Sequence, residues 1–128
     1  MSYYISRKLK MSIDDAEGIT RDALAKEGFG VLTEIDVRGT LKKKLDVDFP
    51  PYRILGACNP PFALKALQSE PRVGTMLPCN VILRELSKTE VEISAIDPVS
   101  SMQSIDNPSL VQIAGEIRDK LKRVLDSL

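Results

Sequence analysis

Apolar and polar residues follow two rhythms along this chain, a period of two in some stretches and helical spacing in others. Val31, Thr33, Ile35 and Val37 alternate with Glu34, Asp36 and Arg38. That period predicts a strand over 31–38 with the first set inward and the second in water, the mark of an antiparallel sheet with one wet face. The stretch 3–10 alternates too, with Tyr3, Ile5 and Leu9 on one face and Tyr4, Ser6, Lys8 and Lys10 on the other. Between the two strands Ile13, Ala16, Thr20, Ala23 and Leu24 recur at helical spacing. Ser12 and Asp15 provide an N-terminal start for this helix, and Gly28 a C-terminal stop.

Beyond the second strand, 40–46 reads as one or two helical turns with Leu41 and Leu45 inward, ended by Phe49-Pro50-Pro51. Tyr52 to Cys58 is a short strand. Asn59 caps a helix that opens on prolines and runs to about Glu70, where Pro71 stops it. Strands over 76–86 and 91–97 form a hairpin through Ser87-Lys88-Thr89-Glu90. The last helix starts at Asn107-Pro108. It places Leu110, Ile113, Ala114, Ile117, Leu121, Val124, Leu125 and Leu128 on one face, with Glu116, Arg118, Asp119, Lys120, Lys122 and Arg123 toward water. The order βαβ(α)βαββα predicts a single α+β domain over 1–128: a curved, mainly antiparallel sheet of about five strands with the main helices on one face.

Composition narrows the function classes. With 128 residues and 43% apolar content the chain is long enough to bury a core without disulfides or metal. Eighteen basic residues balance eighteen acidic ones, so no basic excess points to nucleic acid, and none is expected as a partner. The opening residues lack the basic and apolar regions of a secretory signal, and no run is long enough for a membrane span. Two cysteines make no disulfide framework, so the expected setting is the cytoplasm, with no membrane partner.

Candidate chemistry is sparse. The chain has no histidine and only Cys58 and Cys79. That removes the usual triads and the commonest general base near neutral pH. Leu77, Cys79, Val81 and Leu83 share one strand face, and Cys58 shares another with Tyr52, Ile54 and Gly56, so both thiols sit among apolar neighbours. The plain expectation is two buried, inert thiols. The alternative is a redox pair, with Cys58 placed where a strand meets a helix start that would lower its pKa. A metal site is not expected, because zinc wants four nitrogen or sulfur ligands; no cofactor is expected either. Asp97, before Pro98, is either a partly buried carboxylate or a turn residue, and Arg53 and Arg72 are available to pair with it or to hold an anion. Asn59 stands at a helix start whose amides suit an anion, and Asn80 lies inside a strand, where asparagine needs a wet face or a partner.

Three motifs in order, Arg53-Ile54-Leu55-Gly56-Ala57-Cys58-Asn59-Pro60, Leu77-Pro78-Cys79-Asn80-Val81 and Ala95-Ile96-Asp97-Pro98, resemble the uncharacterised domain of unknown function 302 family over nearly the whole chain. The resemblance implies small prokaryotic α+β proteins of TATA-binding-protein-like fold, often dimeric. It implies no activity and no catalytic residue.

The reading that follows is a non-enzymatic cytoplasmic domain that binds a small molecule, an anion among the candidates, or a partner protein. Its candidate site residues are Cys58, Asn59, Cys79, Asn80, Asp97 and Arg53. The alternative is a thiol-dependent redox or metal-sensing protein using Cys58 and Cys79. A homodimer is expected as well, because Tyr3, Tyr4, Leu32, Ile82 and Met76 are apolar groups placed on outward faces.

Overall fold

The computed structural model describes residues 2–128. Five strands, β1 (Tyr4–Leu9), β2 (Gly30–Asp36), β3 (Tyr52–Cys58), β4 (Cys79–Ser87) and β5 (Glu90–Ile96), form one sheet in the order β1-β5-β4-β3-β2. Every neighbouring pair is antiparallel. The helices are α1 (Ile13–Lys26), α2 (Val37–Leu45), α3 (Pro60–Ser69), the short α4 (Pro98–Ser101) and α5 (Pro108–Asp126). A 3-10 segment, Pro71–Met76, follows α3. This is the α+β class that the alternating pattern predicts.

The core lies between one sheet face and the helices α1 and α5. Leu55, Val81, Leu83, Val91 and Ile93 from the strands meet Ala16 and Leu24 of α1 and Leu121, Val124 and Leu125 of α5, all buried. α1 begins as predicted, with Ser12 Oγ accepting from Asp15 N–H at 3.1 Å. It ends on Gly28, at φ 85°. There the Gly28 and Phe29 amides donate back to the carbonyls of Ala25 and Leu24, closing the helix with a left-handed glycine. At the other end of the core, Arg7 of β1 donates to the terminal carbonyls of α5, Leu125 O at 3.0 Å and Asp126 O at 2.9 Å.

One expected face is overturned. β2 carries a bulge at Leu32, between the pairs Val31–Ala57 and Thr33–Gly56. An extra residue shifts the side-chain parity by one, so everything beyond it changes face. Val31 points to the core, but Thr33 and Ile35 lie on the opposite face while Glu34 and Asp36 share the helix side. Glu34 then pairs with Arg21 of α1 at 3.0 Å, and Arg21 pairs with Glu17 at 2.9 Å.

Three smaller corrections follow. Val37 and Arg38 belong to α2, because Asp36 Oδ1 accepts from Gly39 N–H and caps that helix. α2 buries none of its residues, so Leu45 points outward. β4 starts at Cys79, so Met76 ends the 3-10 segment and packs, half-buried, against Val73 and Met102 instead of standing on an outward strand face.

Candidate functional site

α5 crosses two differently furnished regions. Its C-terminal half brings Leu121, Val124 and Leu125 to the core, over β1 and β5 and against α1. Its N-terminal half brings Ala114 toward Ala63 and Ala66 of α3 and Ala57 at the end of β3. Side chains this short cannot meet across the gap. A cavity of about 290 Å³ remains between α3, α5 and the ends of β3 and β4. Its wall is almost wholly apolar, completed by Leu77, Pro78, Phe62, Met102 and the two thiols. Pro78 is held close over the strands by Gly56, where a Cβ would collide with Thr33 Oγ1 and lie 2.7 Å from Pro78 Cγ.

Cys58 and Cys79 are free thiols that line this one cavity. They are not cross-strand partners: Ala57 stands opposite Cys79, and Cys58 is the next residue along β3. Cys79 is buried, Cys58 half-buried. Burial, with a smaller contribution from the neighbouring Cys58, pushes the Cys79 thiol up to about 11. At neutral pH Cys79 is therefore a neutral thiol and a weak nucleophile.

The remaining candidates go to separate places. Asn59 is buried beside the cavity and stands before α3, but its side chain does not cap that helix. Its Nδ2 donates to Glu27 O at 3.1 Å, which ties the start of α3 to the end of α1. Pro60 and Pro61 have no N–H, and the Ala63 amide is taken by Asn59 O, so this helix end has little to offer an anion. Asn80 is exposed on the far sheet face, beside a shallow hollow of about 200 Å³ rimmed by Tyr3, Tyr4 and Tyr52.

Asp97 is 4% exposed. Its Oδ1 accepts from Val99 N–H at 3.0 Å, capping α4, and its Oδ2 accepts from Arg118 Nε at 3.0 Å. Arg53 lies on the helix face, where it donates to Asp14 and to Glu17, the latter at 3.0 Å, stapling β3 to α1. Burial alone would lower the Arg53 pKa; its hydrogen bonds and charge pairing with Asp14 and Glu17 outweigh that and raise it. Arg72 is exposed near Glu70. Neither Arg53 nor Arg72 pairs with Asp97; Arg118 does, a residue that helical spacing alone assigns to water.

Among the described residues, no group of three or more Cys, Asp or Glu side chains is placed to hold a metal ion, and no helix is long and apolar enough to cross a membrane. Of the six candidates, the fold brings Cys58, Asn59 and Cys79 to one cavity. The alanines, Phe62 and Met102 that shape the cavity carry no chemistry that singles them out. The available signal is the spacing of Ala63 and Ala66 on α3, which face Ala114 across the gap.

No curated protein matches the chain. Its fold is similar to the crystal structure of an uncharacterized conserved protein DUF302 from Bacillus stearothermophilus. The two are 28% identical, with a TM-score of 0.91 over 98% of each chain. The family model described as domain of unknown function DUF302 matches residues 5–128. On that match across almost the whole sequence, the chain belongs to the DUF302 family.

Proposed function

We propose that the protein is a non-enzymatic binding domain of the cytoplasm whose ligand is a small, mainly apolar molecule held between α3, α5 and the ends of β3 and β4. The observation that carries this reading is the cavity itself, whose wall is almost wholly apolar and includes four alanines, beside a buried cluster under the other half of α5. Its volume of about 290 Å³ lies near the ~300 Å³ lower end of ligand pockets, which favours a small occupant. Thermal-shift screening with short alcohols, acids and aromatic compounds tests the reading. Stabilisation by several compounds, abolished in Ala63→Leu, is expected; no shift with any member of the panel rejects it.

The thiol-dependent alternative has less behind it, since Cys79 is buried and neutral and lies out of register with Cys58. Thiol titration of the native protein separates the two. Slow modification of Cys58 with Cys79 silent until denaturation fits a cavity wall, whereas rapid reaction of both fits a thiol function.

The open sheet face supports a second proposal, association with another copy of this chain. Ile35, Ile54 and Ile82 stand side by side across β2, β3 and β4. Tyr3 and Tyr4 are 66% and 44% exposed near the same face. A contiguous apolar face of this kind is what subunit contacts cover. Sedimentation at micromolar concentration is expected to give twice the monomer mass of 14.2 kDa. A single species at the monomer mass rejects the dimer.

A further inference from the structure

Phe62 ties the cavity to the outer surface. Its ring lines the apolar cavity, and two ammonium groups lie over the same ring, Lys65 Nζ at 5.4 Å and Lys120 Nζ at 5.7 Å from its centroid. The first lysine comes from α3 and the second from α5, the two helices that wall the cavity. Lys65 is exposed and Lys120 half-buried, and among the described residues neither makes an ion pair, although the half-buried Arg53 and the mostly buried Glu92 and Asp97 are paired. Each ammonium stands beside the ring with no carboxylate partner, so an anion arriving beside Phe62 meets uncompensated positive charge. Glu116 shares the outer groove with Lys65 but pairs with neither lysine. Neither lysine lines the cavity itself, so Phe62 stands with an apolar cavity on its inner side and two cations on its outer side.

From this we infer that the ligand is a single-tailed amphiphile with an anionic head, of the medium-chain carboxylate class. The tail occupies the cavity and the head lies at Lys65 and Lys120, with Phe62 between them. This inference rests on the cavity reading above and adds the polarity and sign of the ligand's exposed end.

Isothermal titration of the full chain with octanoate, 1-octanol and octylamine, three probes sharing one tail, separates the two levels. Octanoate is expected to bind about tenfold more tightly than octanol, a gap that high salt narrows and that is of the size two solvent-exposed charges provide. Octylamine is expected to bind most weakly. In the double variant Lys65→Met, Lys120→Met the octanoate advantage disappears while octanol binds as before, and the retained octanol affinity also shows that the cavity is intact. Equal affinity for octanoate and octanol, preference for octylamine, or an octanoate advantage that survives in the double variant each overturns the inference while leaving the cavity reading in place. Failure of all three probes to bind overturns both.

Discussion

The two halves of α5 face the same layer of the molecule but are packed by opposite means. Around Leu121, Val124 and Leu125, large aliphatic side chains from α1 and the sheet form one buried cluster. Around Ala114, seven residues before Leu121 on the same helix, Ala57, Ala63 and Ala66 line a cavity with it, and space remains. Helix propensity cannot account for this, since alanine and leucine are both strong helix formers. The difference lies in volume alone. It separates a region whose residues hold the fold from one whose residues shape an enclosure.

Substitutions on the two sides of that divide should behave differently. Leu121→Ala, in the filled half, is expected to cost about 3 kcal/mol, because the neighbours already in contact cannot collapse onto the void; denaturant unfolding measures it, and a loss below about 1 kcal/mol would show that the half is not tightly packed. Cys79 sits on the boundary and gives a pH test. Its thiol is raised in the folded protein to about 11 from an ordinary value of 9.0. The folded state therefore holds this proton more tightly than the unfolded state. The associated stability is complete below pH 9 and is lost as pH rises through 9 to about 11, a fall of roughly 2–3 kcal/mol. Cys79→Ala should flatten that part of the profile, and matching alkaline profiles for the two proteins would contradict the burial assigned to the thiol.

In the hollow half, Ala63→Leu is expected to leave stability within about 1 kcal/mol of the parent, since the added carbons enter existing space. Thermal unfolding would decide it, and a large loss would mean the enclosure is smaller than its walls suggest. The smallest effect is expected at Thr20, a fully buried residue of α1 whose hydroxyl has no partner among the described residues. Thr20→Val keeps the shape and removes an unsatisfied donor, so a gain of up to about 1 kcal/mol is expected. A measurable loss would reveal a hydrogen bond at that hydroxyl.

The filled half was legible in the sequence because its signal is a repeat: Ile117, Leu121, Val124 and Leu125 announce their shared face through spacing. The same holds for α1 and for the β4–β5 hairpin. The β2 face was not legible, because the bulge at Leu32 shifts the parity without leaving a break in the pattern. The pairing of Arg118 with Asp97 depends on how α5 lies against the end of β5, a tertiary fact that a period within one element cannot carry. Asn59 was legible by position and not by partner: it stands where an N-cap stands, but its amide serves the preceding helix. The hollow half was the least visible part, since an absence of volume is encoded jointly by alanines on α3, β3 and α5.

The sheet order also constrains how the molecule is made. β1 precedes the other four strands in the sequence, yet among the described residues its neighbour in the sheet is β5, with Tyr4 opposite Ile96. While β2, β3, β4 and β5 each pair with the strand next to them in sequence, β1 must wait until Glu90–Ile96 exist. A nascent chain on the ribosome therefore carries an unpaired β1, opening on Tyr4 with Tyr3 before it, until β5 has emerged. The closing of that long loop is the step expected to set the pace of folding.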